Sequence, residues 1–181
     1  MISDYVKGKK KEDFSVRIRN GIMLHRAIDI FTDAHPATKI AKDIFRPPYR
    51  LYSGPIMDVL YDHFLASDPG EFDDQKLFFF AENVYRSLDD YKIHFPLPFA
   101  RMYPYMKTQN WLFNYSTMQG AAKSLGGLAH RAAYITETDT AFRLFQENYQ
   151  LLTDCYRQLW ADIKPFALNL FELHERSLNE D

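Results

Sequence analysis

Apolar residues recur along this chain at steps of three and four almost everywhere, the period of a helix buried along one side. Phe14, Ile18, Ile22 and Ile28 mark a helix that begins after the charged GKKKED turn and ends before Pro36. A second, short helix follows Pro36, because proline suits a first helical turn. Gly54–Pro55 opens a third over IMDVLYDHFLAS, and Asp68–Pro69–Gly70 closes it. Leu77, Ala81, Val84, Leu88, Tyr91 and Phe95 predict a fourth. Phe145, Tyr149, Leu152, Tyr156, Leu159, Ile163, Phe166 and Leu170 predict a last long one, bent or ended at Pro165. Residues 99–131 are aromatic-rich, with a proline and two adjacent glycines, and predict short helices. No segment alternates as a strand does. The fold class is all-α, a single-domain helical bundle.

Polar residues that interrupt this pattern are the candidates for chemistry. Winding residues 14–33 at ~100° per residue from Phe14 puts Ile18 near ~40° and Ile22 near ~80°, with His25 at ~20° and Asp29 at ~60°. His25 and Asp29 therefore sit within the apolar stripe, one turn apart, and Asp33 follows at its edge. This pair alone is equally well read as a core histidine bonded to an i+4 carboxylate. The third helix adds to it. Ile56, Met57, Val59, Leu60, Phe64, Leu65 and Ala66 cover nearly every direction around it, the mark of an enclosed helix. Asp58, Asp62 and His63 lie among them. Buried carboxylates require partners, and a divalent cation such as Mn²⁺, Fe²⁺, Zn²⁺ or Mg²⁺ accepts this mixed N/O donor set. The residues themselves point to a buried divalent-metal hydrolase and no further, since the spacing matches no diagnostic motif.

Composition narrows the classes. Among 181 residues, 22 Lys and Arg against 24 Asp and Glu give a formal net charge of −2, which does not favour nucleic acid. With 46% hydrophobic and 16% aromatic residues the chain is not disordered. No apolar run approaches the ~20 residues of a membrane span, and a lone cysteine, Cys155, suits a reducing cytoplasm and the packing of a helix seam. Lys7, Lys9, Lys10, Lys11, Arg17 and Arg19 cluster near the N-terminus, as a solvated turn or as a patch for an acidic partner. Arg26 offers a donor fork that suits a phosphate, or else a surface ion pair. His94 and His174 read as structural or surface residues, and His130 in GGLAHRA stays open.

The runs SDYVKG, GIMLHRAIDIFTDAHP and MDVLYDHFLA, and less distinctively QNWLFNYSTMQGAAKSLGGLAHR, resemble the acyl carrier protein phosphodiesterase family of bacteria. The resemblance implies a divergent relative of the HD-domain metal phosphohydrolases. Its implied reaction is hydrolysis of the phosphodiester joining 4′-phosphopantetheine to a serine of acyl carrier protein, with a divalent cation, typically Mn²⁺. Carried over by position, Asp4, His25, Asp29, Asp62 and His63 are expected around the metal. Asp58 or Asp33 would orient a ligand or take a proton, Arg26 would hold a phosphoryl oxygen, and the basic cluster would meet the carrier. The resemblance also implies a short apolar, histidine-containing segment ahead of SDYVKG; the given sequence starts at Met1 within the following helix, either because Met1 is an internal methionine taken as the start or because the segment is lost, and on either reading a complete metal shell is not expected from these residues. Two other readings remain: another metal phosphohydrolase acting on a nucleotide or small phosphodiester, and a non-catalytic helical module that binds an acidic carrier.

Overall fold

The structure, a computed structural model, describes residues 3–6, 8–131 and 135–179, with the backbone alone at 4, 8–10, 130–131 and 178–179. Two short 3₁₀ turns, Ser3–Tyr5 and Gly8–Asp13, lead into α1 (Val16–Ala34), and both pack against it. His35 then turns the chain. Its Nδ1 accepts from the Ala37 N–H at 3.2 Å, capping α2 (Pro36–Tyr49), while Nε2–H donates to Asp162 at 3.1 Å. Part of the TDAHP run is thus a helix-capping device. After a 3₁₀ turn comes α3 (Ser53–Ala66), and Asp73 caps α4 (Asp74–Asp90) by accepting from Lys76 N–H at 2.8 Å. Helices α5 (Leu97–Thr108), α6 (Trp111–Asn114), α7 (Met118–Arg131) and α8 (Asp139–Glu147) precede the long α9 (Tyr149–Asn179). No strand occurs among the described residues, as the all-α reading expects.

Three boundaries differ from the apolar period. Helix α4 stops at Asp90, and Tyr91 and Phe95 flank a separate 3₁₀ turn, Lys92–His94. Phe145 belongs to α8, divided from α9 at Asn148, although the seam of fours and threes runs across both. Pro165 does not end the chain's last helix, which continues to Asn179. Pro165 and Ala161, the residue whose carbonyl loses its partner, both lie on the exposed face, where water replaces the missing bond.

Helix α2 packs against α1, α3 and α9, and α3 is held between α2 and α7. Phe45, Ile56, Leu60, Phe64, Phe145 and Leu152 form the main core from α2, α3, α8 and α9. Tyr85, Phe99, Tyr103 and Met106 form a second core where α4 meets α5. The Tyr85 hydroxyl ties the second core to α6, donating to Met106 O and accepting from Leu112 N–H. No helix is long and apolar enough to cross a membrane among the described residues.

Between α6 and α7 the backbone comes very close. A Cβ built on Gly120 would lie 1.8 Å from the Asn114 carbonyl oxygen. The Gly120 N–H also donates to the Thr117 hydroxyl at 2.9 Å, in the capping turn of α7. Gly120→Ala is therefore expected to force α7 away from α6 and to lower stability by about 2 kcal/mol or more, measured by denaturant unfolding.

Candidate active site

The expected stripe on α1 exists, but it lines a cleft instead of meeting a packed helix. Helix α1 turns Phe31 towards α9, where the ring stacks on Phe166 at 4.6 Å between centroids. The Ile18–Ile22 side faces α4 across a cleft of about 510 Å³, lined by Ile18, Ile22, His25, Val84, Leu88 and His94. Ile22 is buried at 2% exposure, whereas the side chains of His25 and Asp29 are 35% and 55% exposed. Their placement in a buried stripe is thus corrected: both stand at the rim of an open groove. Periodicity reports an apolar face and cannot report whether anything covers it. The pair itself forms as the spacing implies, with His25 Nδ1–H donating to Asp29 at 2.9 Å.

The turn carrying Asp4 packs beside α1, and Arg26 fastens it by donating to the carbonyl of Val6. Arg26 thus anchors this turn instead of facing a bound anion. Asp33 is bonded to Lys42 of α2 at 2.6 Å, away from the cleft. The side chains of Asp4, Lys9, Lys10 and His130, and Lys7 altogether, lie outside the described residues. Of the remaining basic cluster, Arg17 is exposed, Arg19 half-buried, and Lys11 rests its Nζ 3.4 Å from the Met23 sulfur.

On α3, Asp58 and Asp62 share one face, one turn apart. Both side chains are exposed, which corrects their expected burial, although the protein around Asp62 still costs its carboxylate hydration. That loss of hydration, reinforced by the like charge of Asp58, pushes the Asp62 pKa up to about 7, against a hydrogen bond from the Tyr115 side chain that favours the carboxylate. A carboxylate pair that resists full ionisation in this way is a place where a cation is stabilised.

His63 is different. It is 2% exposed and stands edge-on to the rings of Phe64, Phe145 and Tyr149. Nδ1–H donates to the Tyr115 carbonyl at 2.8 Å, and Nε2 accepts from the Tyr149 hydroxyl at 3.2 Å. Both nitrogens are hydrogen-bonded, and through them His63 joins α3 to the α6–α7 connection and to α9. Burial also pushes its pKa below the usual imidazole value. Among the described residues no three His, Cys, Asp or Glu side chains converge closely enough to hold an ion. The described residues present two acid-containing pairs, His25–Asp29 on α1 and Asp58–Asp62 on α3.

The sequence reading did not single out Tyr115, which bonds Asp62 through its side chain and His63 through its carbonyl. Its signal was the WLFNYS run, whose aromatic density reads as core.

A family model described as acyl carrier protein phosphodiesterase matches residues 1–163. The chain belongs to the acyl carrier protein phosphodiesterase family. A relative of that name from Yersinia pestis is 29% identical over 157 residues, 86% of this chain and 81% of its own length. One from Klebsiella pneumoniae is 26% identical over 170 residues, covering 93% and 88%. One from Escherichia coli O139:H28 is 31% identical over 136 residues, covering 72% and 68%. No solved structure matches the chain. His35, His63, Asp33 and Arg26 all serve the fold, which leaves the two donor pairs and the clefts beside them.

Proposed function

We propose that this chain hydrolyses the phosphodiester joining 4′-phosphopantetheine to the serine of acyl carrier protein, releasing the apo-carrier. The observation that carries the reading is the Asp58–Asp62 pair, in a chain that belongs to this family over most of its length. A phosphodiester is an anion, and two carboxylates alone would repel it. A divalent cation held between them would turn that repulsion into attraction. Mn²⁺ and Mg²⁺ suit this donor set, because such ions are held by one or two carboxylates and complete their coordination with water and substrate phosphate.

A bound divalent cation supplies an activated water and neutralises charge on a phosphoryl oxygen. The chain's own residues do the rest. Asp62 and Asp58 would hold the positive charge on the exposed face of α3, and the Tyr115 hydrogen bond orients the Asp62 carboxylate. Asp29 orients the His25 ring at the cleft rim. The basic residues Lys11, Arg17 and Arg19 lie on the approach to α1, where positive charge speeds encounter with an acidic carrier. The setting is the cytoplasm, in keeping with Cys155 as a buried free thiol.

Mass spectrometry of holo-carrier incubated with the protein and Mn²⁺ tests this directly. Loss of the intact phosphopantetheine arm is expected, with none when chelator replaces the ion. A carrier that keeps its arm under both conditions overturns the proposal.

A further inference from the structure

A second cleft, of about 540 Å³, opens where α5, α6 and α7 meet. Its walls are unlike those of the apolar groove beside His25. Gln109, Trp111, Asn114, Tyr115, Lys123 and Ser124 line it, and its helix α7 wall includes Gly127, where a Cβ would meet nothing within 4 Å. Hydrogen bonds preset its polar groups. Trp111 Nε1–H donates to Gln109 Oε1 at 3.0 Å, and Asn114 Nδ2 donates to the Gln109 carbonyl at 2.6 Å. These bonds leave Gln109 Nε2 as a donor and Asn114 Oδ1 as an acceptor, neither bonded among the described residues. Lys123 forms no ion pair among them either. Tyr115 belongs both to this cleft and, through its bond to Asp62, to the carboxylate pair.

We infer that this cleft binds the phosphopantetheine arm itself, with Lys123 pairing its phosphate and the Gln109–Asn114 amides matching its peptide-like groups; this rests on the substrate reading given above. The arm is a thin chain of two amides between a phosphate and a thiol. Recognising it takes a cation, a hydrogen-bond donor and acceptor, and apolar surface, and the cleft supplies Lys123, the Gln109 and Asn114 amides, and Trp111 with Met102. Its volume lies in the range of sites for ligands of this size. The Tyr115 bridge sets the arm next to the carboxylates, so one residue links substrate binding to the reacting end.

Calorimetric titration of the full chain with free 4′-phosphopantetheine, and with pantetheine lacking the phosphate, tests the assignment. Phosphopantetheine is expected to bind the wild type, and Lys123→Ala to weaken it about 10- to 100-fold, as for loss of a charge-assisted contact. Pantetheine is expected to bind wild type and Lys123→Ala equally. Gly127→Leu, which fills the cleft, is expected to abolish both while the helical circular dichroism is unchanged. Phosphopantetheine binding that ignores Lys123→Ala, or that is absent from the wild type, overturns the inference. The parallel assay on holo-carrier separates it from the reading beneath it. Arm release that is equal in wild type and both variants removes the cleft and keeps the hydrolase. Arm binding that obeys both variants, in a protein that releases nothing from holo-carrier, removes the hydrolase and keeps the cleft.

Discussion

Replacing Asp62 by Asn is expected to cut release of phosphopantetheine from holo-carrier by about 100- to 1,000-fold, the scale seen when one preorganised group at a reacting centre is lost. The fold should survive, because Asn keeps the shape and the Tyr115 bond loses only its charge. Stability supplies a second, independent readout. The folded-state pKa of Asp62 is pushed up to about 7 from an ordinary 3.8, so the folded protein holds a proton that the unfolded chain has released. The Asp62 contribution is therefore fully present below the ordinary value and is lost as pH rises through that interval. Without divalent cation, the wild type should lose melting temperature relative to Asp62→Asn between about pH 4 and 7. Mn²⁺ should erase the difference, since a cation beside the carboxylate pulls its pKa back down. Identical pH slopes in the two proteins, with and without Mn²⁺, would sink the idea that Asp62 and Asp58 hold a cation.

The helical period along the chain carried most of the architecture. The boundaries of α2 and α3 follow from Pro36, Gly54–Pro55 and Asp68–Pro69–Gly70, because those residues act locally, through φ restriction and turn formation. Pro165 misleads because the cost of a missing N–H depends on whether its orphaned carbonyl faces water, and that is settled by tertiary placement. The site was legible in part for the same reason. The His25–Asp29 bond is an i, i+4 contact, so spacing alone implies it. The cleft beside it arises from how α1 and α4 diverge, and nothing in either helix announces that. His63 shows the opposite limit. A histidine among apolar residues is compatible with a ligand or with a core hydrogen-bond hub. Only the arrival of the Tyr115 carbonyl and the Tyr149 hydroxyl, 52 and 86 residues away in sequence, decides between them. Lys123 and Gln109 escaped notice because a lysine and a glutamine on short helices look like ordinary surface.

His63→Ala is expected to cost about 3 kcal/mol or more of folding stability and to leave divalent-cation affinity at Asp58–Asp62 unchanged. Truncation opens a cavity among Phe64, Phe145 and Tyr149 and removes the partner of the Tyr115 carbonyl, two penalties that add at a site with no room to collapse. The pH dependence has a sign opposite to that of Asp62. Burial lowers the His63 pKa, so the unfolded chain takes up a proton near the ordinary 6.5 while the folded protein refuses it. Its stability contribution is present above that value and is lost as pH falls below it. In the wild type the two neighbours thus pull against each other just below pH 6.5, and each slope emerges only when the other residue is replaced. Denaturant unfolding of His63→Ala across this range should show the acid-side loss removed, with the Asp62 slope exposed. A variant of unchanged stability that no longer takes up Mn²⁺ would instead make His63 a ligand, and would require the Tyr149 hydroxyl to leave Nε2 when the cation binds.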